Sequence, residues 1–259
     1  MNVNRVMAIA SNSFREVVRD RILYIIGFYA VILAAAAMLL PELAAATEDK
    51  MFLDVGLAVM STLSLIIAVF VGTGLISKEI EKRTILMLIA KPISRNEFII
   101  GKYFGLSTVL ALLVIAMSAI YLIFLQVNNI DYSAKSIVIN AIFLILQLSL
   151  MSAIAIAFGV FTGSILATAL TFAVYLMGNI TQDLLKQAHI GENPGLERIT
   201  QGLYLLLPDL SRLNLKNDAV YGLSALPDYT KLFIDAGYSL LYSAMLLAIA
   251  AFIFSQKEF

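Results

Sequence analysis

The sequence contains no cysteine and no tryptophan, and its only histidine is His189. The absence of cysteine excludes disulfide bonds, thiolate metal sites and a cysteine nucleophile. A single histidine excludes the paired histidines of a His-Glu-x-x-His zinc site. Charged residues make up 14% of the chain, whereas soluble globular domains have about 25%. With a mean hydropathy of +0.90, the composition indicates a polytopic membrane protein. The formal net charge of zero argues against a nucleic-acid partner.

Six apolar stretches are candidate membrane spans, of which the fifth is short. A helix rises 1.5 Å per residue, so crossing about 30 Å of hydrocarbon takes roughly 20 residues. Only Gly163 and Ser164 separate the fourth stretch from the fifth, which leaves either two spans with a tight turn or one broken element. We predict two spans, because one apolar helix over both stretches would exceed the bilayer thickness. The predicted spans are Ile22–Leu40, Leu53–Ile76, Tyr103–Leu125, Ile137–Phe161, Ile165–Ile180 and Ala236–Phe254.

The spans contain almost no ionisable side chains. Asp54 is the exception, and it lies at the edge of the second span, where it can reach the interface. Ion-coupled carriers normally bury such groups within the membrane, so the pattern disfavours a secondary transporter. The sequence also lacks a nucleotide-binding P-loop, since Asn96 stands where the motif before Gly101-Lys102 needs its first glycine. Energy for any active process must come from another polypeptide.

The distribution of basic residues predicts the orientation. With six spans, the two termini, residues 77–102 and the Gly163 turn share one side of the membrane. That side has eleven basic and six acidic residues, and the excess of five positive charges predicts that it is cytoplasmic. Its basic residues are Arg5, Arg15, Arg19, Arg21, Lys78, Lys82, Arg83, Lys91, Arg95, Lys102 and Lys257.

Two further regions flank the spans. Residues 5–21 have apolar side chains at helical spacing beside basic ones, which predicts an amphipathic helix in the headgroup plane. For this helix we favour simple anchoring over contact with a partner. Residues 181–235 form a long outer loop in which apolar runs alternate with Gly and Pro. Short helices on or in the outer leaflet, or a small water-exposed cap, would explain that pattern, and we favour the helices.

The segment of residues 77–95, between the second and third spans, has the pattern helix, break, helix. Ser77 is expected to cap the first helix, where Glu79 and Arg83 are spaced for an i,i+4 ion pair. Pro92 is expected to end that helix. Ser94-Arg-Asn-Glu97 is typical of a capping box and predicts the start of the third span. The pattern predicts a short cytoplasmic helix across the membrane surface, and by itself it leaves open whether this helix docks to a partner.

The residues of this segment resemble a known motif. Glu79-x-Glu81-Lys-Arg83-Thr84-Ile85-x-x-Leu88-x-x-Lys91-Pro92-Ile93-Ser94-Arg95, followed by Gly101-Lys102, resembles the cytoplasmic motif of ATP-binding-cassette permeases of the type-2 exporter family. The amphipathic lead, six spans and long outer loop resemble the layout of that family over most of residues 1–259. Many members have Gly where this chain has Arg83. This variant is similar to the branch of the nitrous-oxide-reductase maturation and gliding-motility permeases.

The resemblance implies a fold, a site and partners. The fold is all-α: a single permease domain with six transmembrane helices, an N-terminal interfacial helix and a cytoplasmic coupling helix. The second and fifth spans of this family tend to line the path, which suggests pathway roles for Ser61, Thr62, Thr168, Thr171 and Tyr175. The coupling helix docks on an ATPase subunit, which implies coupling roles for Lys78, Glu79, Glu81, Lys82, Arg83, Thr84, Lys91, Pro92, Ser94 and Arg95.

By this resemblance the chain is a bacterial inner-membrane permease with both termini in the cytoplasm. Two ATPase copies would bind ATP and Mg²⁺, the chain itself would bind no cofactor, and a second or related permease would complete the complex. An uncharged path suits export of a lipidic or amphipathic cargo, or transmission of force to an accessory protein on the outer side. Two alternatives stay open: a non-transporting membrane scaffold or assembly factor, and an energy-independent channel.

Overall fold

The architecture of the protein comes from a computed structural model. It describes residues 2–19, 22–43, 47–81, 94–190, 202 and 207–256, with backbone only for residues 43, 78–81 and 181–190. Within these ranges there are eight α-helices and one short 3-10 helix, so the all-α prediction is confirmed. The α-helices are α1 Val3–Arg19, α2 Ile22–Leu43, α3 Glu48–Glu81, α4 Arg95–Val127, α5 Ala134–Phe161, α6 Ser164–Ile190, α7 Lys216–Tyr221 and α8 Tyr229–Gln256.

Each predicted span lies within a helix. Five helices, namely α2, α3, α4, α5 and α8, are long and apolar enough to cross a membrane, and the apolar part of α6, Ser164–Ile180, is shorter. The multi-pass membrane prediction is therefore confirmed. Helices α3, α4 and α8 begin several residues before their predicted spans, and α6 extends into the predicted outer loop. The membrane boundaries of the spans stay a prediction.

Helix α5 occupies the centre of the bundle. It contacts α3, α4, α6 and α8, and 72% of its most apolar stretch is buried. A helix that is apolar on all sides has no preferred lipid face, so neighbours can cover it completely. In contrast, only 17% of the corresponding stretch of α2 is buried. Leu23, Val31 and Met38 of α2 are each more than 60% exposed, which places this helix at the periphery.

The short connection between α5 and α6 contains Thr162 and Gly163. The backbone leaves the helical conformation there, and the Thr162 amide closes α5 by donating to the Phe158 carbonyl at 2.9 Å. The structure therefore has two separate helices with a tight turn between them, and the prediction that both cross the membrane stays a prediction. The turn places α6 beside α3, where the Thr168 and Thr73 hydroxyls share a hydrogen bond of 2.9 Å.

The prediction that Ser77 begins a new helix was wrong. Helix α3 continues without a break through Ser77 to Glu81. The Ser77 hydroxyl donates to the Gly159 carbonyl of α5 at 3.2 Å, so it joins two spans instead of capping a helix. A Cβ on Gly159 would lie 3.2 Å from that hydroxyl oxygen, so the glycine permits the close approach.

The predicted outer loop includes short helices that pack on the bundle. The 3-10 helix Leu210–Leu213 and α7 bury Leu210, Leu213 and Ala219 against the main hydrophobic core. An ionic cluster holds this region to α8: Arg212 Nε lies 2.9 Å from Asp209 Oδ2, and Arg212 Nη1 lies 3.6 Å from Asp235 Oδ1. Both carboxylates are nearly fully buried. The apolar runs of the loop are thus explained by packing where the structure describes them.

Candidate coupling interface

The site is at the end of the bundle where α1, the start of α4 and the end of α8 meet; we call this the α1 end. Ser94 precedes α4 with extended backbone angles, φ −75° and ψ 148°. Its hydroxyl accepts the Glu97 amide at 3.3 Å, and its own amide donates to Glu97 Oε2 at 3.1 Å. These two reciprocal bonds form the predicted capping box, which is therefore confirmed.

The Glu97 carboxylate has a second binding partner, which the sequence analysis did not identify. Its Oε1 accepts the backbone N–H of Asn2 at 2.6 Å. Asn2 stands at the N-cap of α1, because its carbonyl accepts the Arg5 amide and its side chain accepts the Asn4 amide. Arg5 Nη1 lies 4.0 Å from Glu97 Oε2, and the Glu97 side chain is only 4% exposed. One buried carboxylate therefore binds the N-cap amides of two helices.

Arg95, the last of the ten predicted coupling residues, contacts the end of the last helix. Its Nη1 donates to the carbonyls of Phe254 at 2.9 Å and Ser255 at 2.8 Å. The final carbonyls of a helix have no partners within the helix and carry partial negative charge, so a guanidinium stabilises them. Phe98, one turn along α4, stacks on Phe254 with ring centroids 5.8 Å apart. The first turn of α4 thus binds the start of α1 and the end of α8.

Helix α1 packs directly against α4 over about two turns. A Cβ on Gly101 would lie 2.7 Å from the Ile9 Cβ, and a Cβ on Gly105 would lie 2.7 Å from the Ala10 carbonyl oxygen. Only glycine allows so close an approach at these positions. Between them, Lys102 is buried and its Nζ lies 3.3 Å from Glu16 Oε2.

Docking onto α4 changes the interpretation of α1. The sequence analysis assigned one apolar face to the headgroup plane, whereas the structure buries Val6, Ser13 and Val17 and leaves Met7 and Val18 exposed. Part of the helix therefore faces the span rather than lipid. The spacing Gly101-xxx-Gly105, which is typical of close helix contacts, was the available signal.

The structure describes the side chains of only two of the ten predicted coupling residues. Ser94 and Arg95 are the two whose side chains the structure places. Only the backbone of the last turn of α3 is described for Lys78, Glu79 and Glu81. Lys82, Arg83, Thr84, Lys91 and Pro92 lie outside the described residues. Their assignment to the docking surface stays a prediction.

The predicted pathway residues lie on α3 and α6, which contact each other. The Ser61 and Thr62 hydroxyls both donate to the Ala58 carbonyl, at 2.9 and 2.8 Å. Thr171 is fully buried and donates to a carbonyl of its own helix. Thr62 is exposed, whereas Ser61, Thr168 and Tyr175 are half-buried. The structure brings Thr168 beside α3 but assembles no continuous polar channel from these five side chains, so their pathway role stays a prediction.

A lateral groove of about 620 Å³ lies between α4 and α8. Asn96 and Ser255 supply polar groups at the α1 end of the groove. Its apolar lining includes Phe104 and Phe252, each more than half exposed. The groove therefore offers an apolar surface with a polar end. Within the described ranges, acidic and histidine side chains form no cluster of three that could hold a metal ion.

Comparison with protein families gives a match over almost the whole chain. A family model described as "ABC-2 family transporter protein" matches residues 7–259. No curated protein matches the chain. The matching model names the family and no branch within it, so the branch suggested by Arg83 is not supported. An all-helical multi-pass bundle and a family match over nearly its full length agree with each other, and the chain therefore belongs to the ABC-2 family of transporter proteins.

Proposed function

We propose that the chain is the membrane-spanning subunit of an ATP-driven exporter. A separate ATPase subunit, which binds ATP and Mg²⁺, docks on residues 78–95. Two ATPase copies bind beneath two permease copies, and nucleotide-driven closure of the ATPases displaces this segment. The family match supports the membrane-subunit role, because ABC-2 permeases carry no ATPase of their own.

The observation that carries the proposal is the first turn of α4. This turn follows the docking segment directly, and Arg95, Glu97 and Phe98 bind α8, α1 and α8 respectively. A force applied to the segment would therefore reach α1 and α8 through direct contacts. The lateral groove, with apolar walls and a polar end, supports a lipidic or amphipathic cargo.

The first experiment is affinity purification of the intact protein from its native membrane, with mass spectrometry of the proteins that accompany it. A stoichiometric subunit with a P-loop supports the proposal. If no ATPase is found, even after crosslinking through Lys78, Lys82 or Lys91, the docking assignment fails and a scaffold becomes the leading function.

A charge reversal tests the docking surface itself. Arg83→Glu should uncouple ATP hydrolysis from transport, because it places a carboxylate where the segment is expected to meet its partner. Arg83→Lys is the matched control, since it keeps the charge. Unchanged coupling in Arg83→Glu would rule out docking through this residue.

We also propose that the α1 end is cytoplasmic, on the basis of its excess of basic residues. Reporter fusions after Asp131 and Glu192 test this orientation. Both positions are expected on the outer side of the membrane, opposite the cytoplasm. A cytoplasmic signal at either position would contradict the six-span topology.

A further inference from the structure

Glu97 joins two helices that are far apart in the sequence. Its Oε2 accepts the Ser94 amide at 3.1 Å and its Oε1 accepts the Asn2 amide at 2.6 Å. Both donors are N-cap residues, so each helix begins on the same carboxylate. Bonds to an ionised acceptor are stronger than bonds between neutral groups. This carboxylate therefore fixes the position of the start of α1 relative to the start of α4.

Burial makes the junction hard to open. The Glu97 side chain is 4% exposed, and its bonds to the exposed Asn2 and Ser94 are half-buried. An acceptor separated from its donors inside the protein loses hydrogen bonds that it would keep in water. The nearby guanidinium of Arg5, 44% exposed, adds a favourable charge at 4.0 Å. Both N-caps are thus expected to stay bound while the helices move.

The glycine contacts prevent α1 from pivoting about this junction. Gly101 and Gly105 hold the α1 backbone close to α4 one and two turns beyond Glu97. The Lys102–Glu16 ion pair adds a further contact, with Nζ and Oε2 3.3 Å apart. Contacts at successive turns fix an orientation as well as a position. Helix α1 and the first turns of α4 therefore form one body.

This body directly follows the docking segment in the chain, because α4 begins where that segment ends. Ser94 is the residue through which any displacement of that segment enters α4, and its amide is bound to Glu97. Helix α1 in turn leads to α2 through residues 20 and 21 alone. We propose that Glu97 is a positioning residue that makes α1 move together with the docking segment and the third span. This inference rests on the proposed function, and it extends the moving parts to the N-terminal helix and the first span.

Spin labels can test this movement cleanly, because the natural chain has no cysteine. One label at Asn12→Cys lies on the exposed side of α1, and a second at Phe161→Cys lies on the end of the central helix α5. Double electron–electron resonance measures the distance between them in the purified complex with its ATPase, without nucleotide and with Mg-ATP and orthovanadate. Singly labelled samples identify distances between copies.

The parent protein should show a nucleotide-dependent shift in this distance, and Glu97→Ala should reduce it, because only the contacts further along α4 would then couple α1 to the start of α4. Glu97→Gln keeps the shape of the side chain but only one acceptor oxygen, so its shift should be smaller than that of the parent. Glu42→Gln is the matched control, because it makes the same change at an exposed carboxylate on α2 that takes no part in the contact between α1 and α4. It should keep the shift.

The outcomes separate the role of Glu97 from the proposed function. An unchanged distance without nucleotide shows that a variant is folded. If Glu97→Ala shifts as the parent does, or if the parent itself shows no shift while its ATPase is bound and active, the role of Glu97 is wrong and the proposed function stands. If no ATPase accompanies the protein, the proposed function and its extension fail together.

Discussion

Replacing Gly105 by alanine should loosen the contact between α1 and α4. The new Cβ would lie 2.7 Å from the Ala10 carbonyl oxygen and 2.7 Å from the Ser13 Cβ. Ordinary contacts begin at 3.4 Å, so α1 must move away by about 0.7 Å, the difference between the two distances. Because the nearest atom belongs to the backbone, no side-chain rotation can relieve the clash. Overpacking of this kind costs about 1–3 kcal/mol.

This free-energy cost falls on the docking of α1 onto α4 and not on the stability of helix α4 itself. Alanine is a better helix former than glycine by about 1 kcal/mol, but α4 stays helical whether α1 is docked or not, so this gain cancels. A loss of 1–3 kcal/mol increases the undocked population about 5- to 150-fold.

A buried thiol on α1 reports that population. Ser13 is fully buried against α4, and its hydroxyl has no hydrogen-bond partner among the described residues. Ser13→Cys therefore replaces an unpaired polar group by a less polar one of similar shape, in a chain without other cysteines. Reaction with a maleimide should be slow in this background and about 5- to 150-fold faster when Gly105→Ala is added.

Gly27→Ala in α2 is the matched control, since nothing lies within 4 Å of its added Cβ. It should leave the labelling rate of the buried thiol unchanged. Equal rates in the Gly105→Ala and Gly27→Ala proteins would refute the conclusion that close backbone approach holds α1.

Three further substitutions test contacts elsewhere. Arg95→Ala removes two charged hydrogen bonds from the end of α8, one of them exposed. It should lower the unfolding free energy, measured by denaturation in nanodiscs, by about 1.5–3 kcal/mol, the value for one bond to a charged group. Arg95→Lys should recover part of this loss. Tyr121→Phe removes a buried hydroxyl bond to α3 and should cost about 1 kcal/mol, whereas Tyr24→Phe, on an exposed ring, should cost nothing measurable. Arg212→Ala leaves two buried carboxylates without their shared cation, and adding Asp235→Asn should restore part of the lost stability in a double-mutant cycle. Strict additivity of these two changes would show that the pair is not coupled.

The membrane spans and the start of α4 could be predicted because their signals are local. An apolar stretch of sufficient length has few alternatives to a transmembrane helix. The capping box depends on two residues three positions apart, Ser94 and Glu97, and both expected bonds are present. Ser77 is a residue type that often caps helices, and this preference predicted a helix start there, but Ser77 lies within α3. Its apolar neighbourhood and the facing Gly159 carbonyl outweigh the local preference of serine for a cap.

The remaining contacts could not be predicted because they join distant parts of the chain. Nothing near Glu97 in the sequence indicates that Asn2 will donate to it, and nothing near Arg95 indicates the carbonyls of α8. The Asp209–Arg212–Asp235 cluster likewise depends on how a loop folds back onto α8. Only the paired glycines of α4 gave a signal for the α1 contact, and that signal does not name its partner helix.

The central position of α5 has a consequence for how the protein is made. One face of α5, with Ala153, Ile156 and Ala157, is covered by Ala250 and Phe254 of α8. Synthesis proceeds from the N-terminus, so α5 enters the membrane well before α8 has been translated. During that interval this face is not yet covered by α8, and a chain cut before Tyr229 would leave it uncovered.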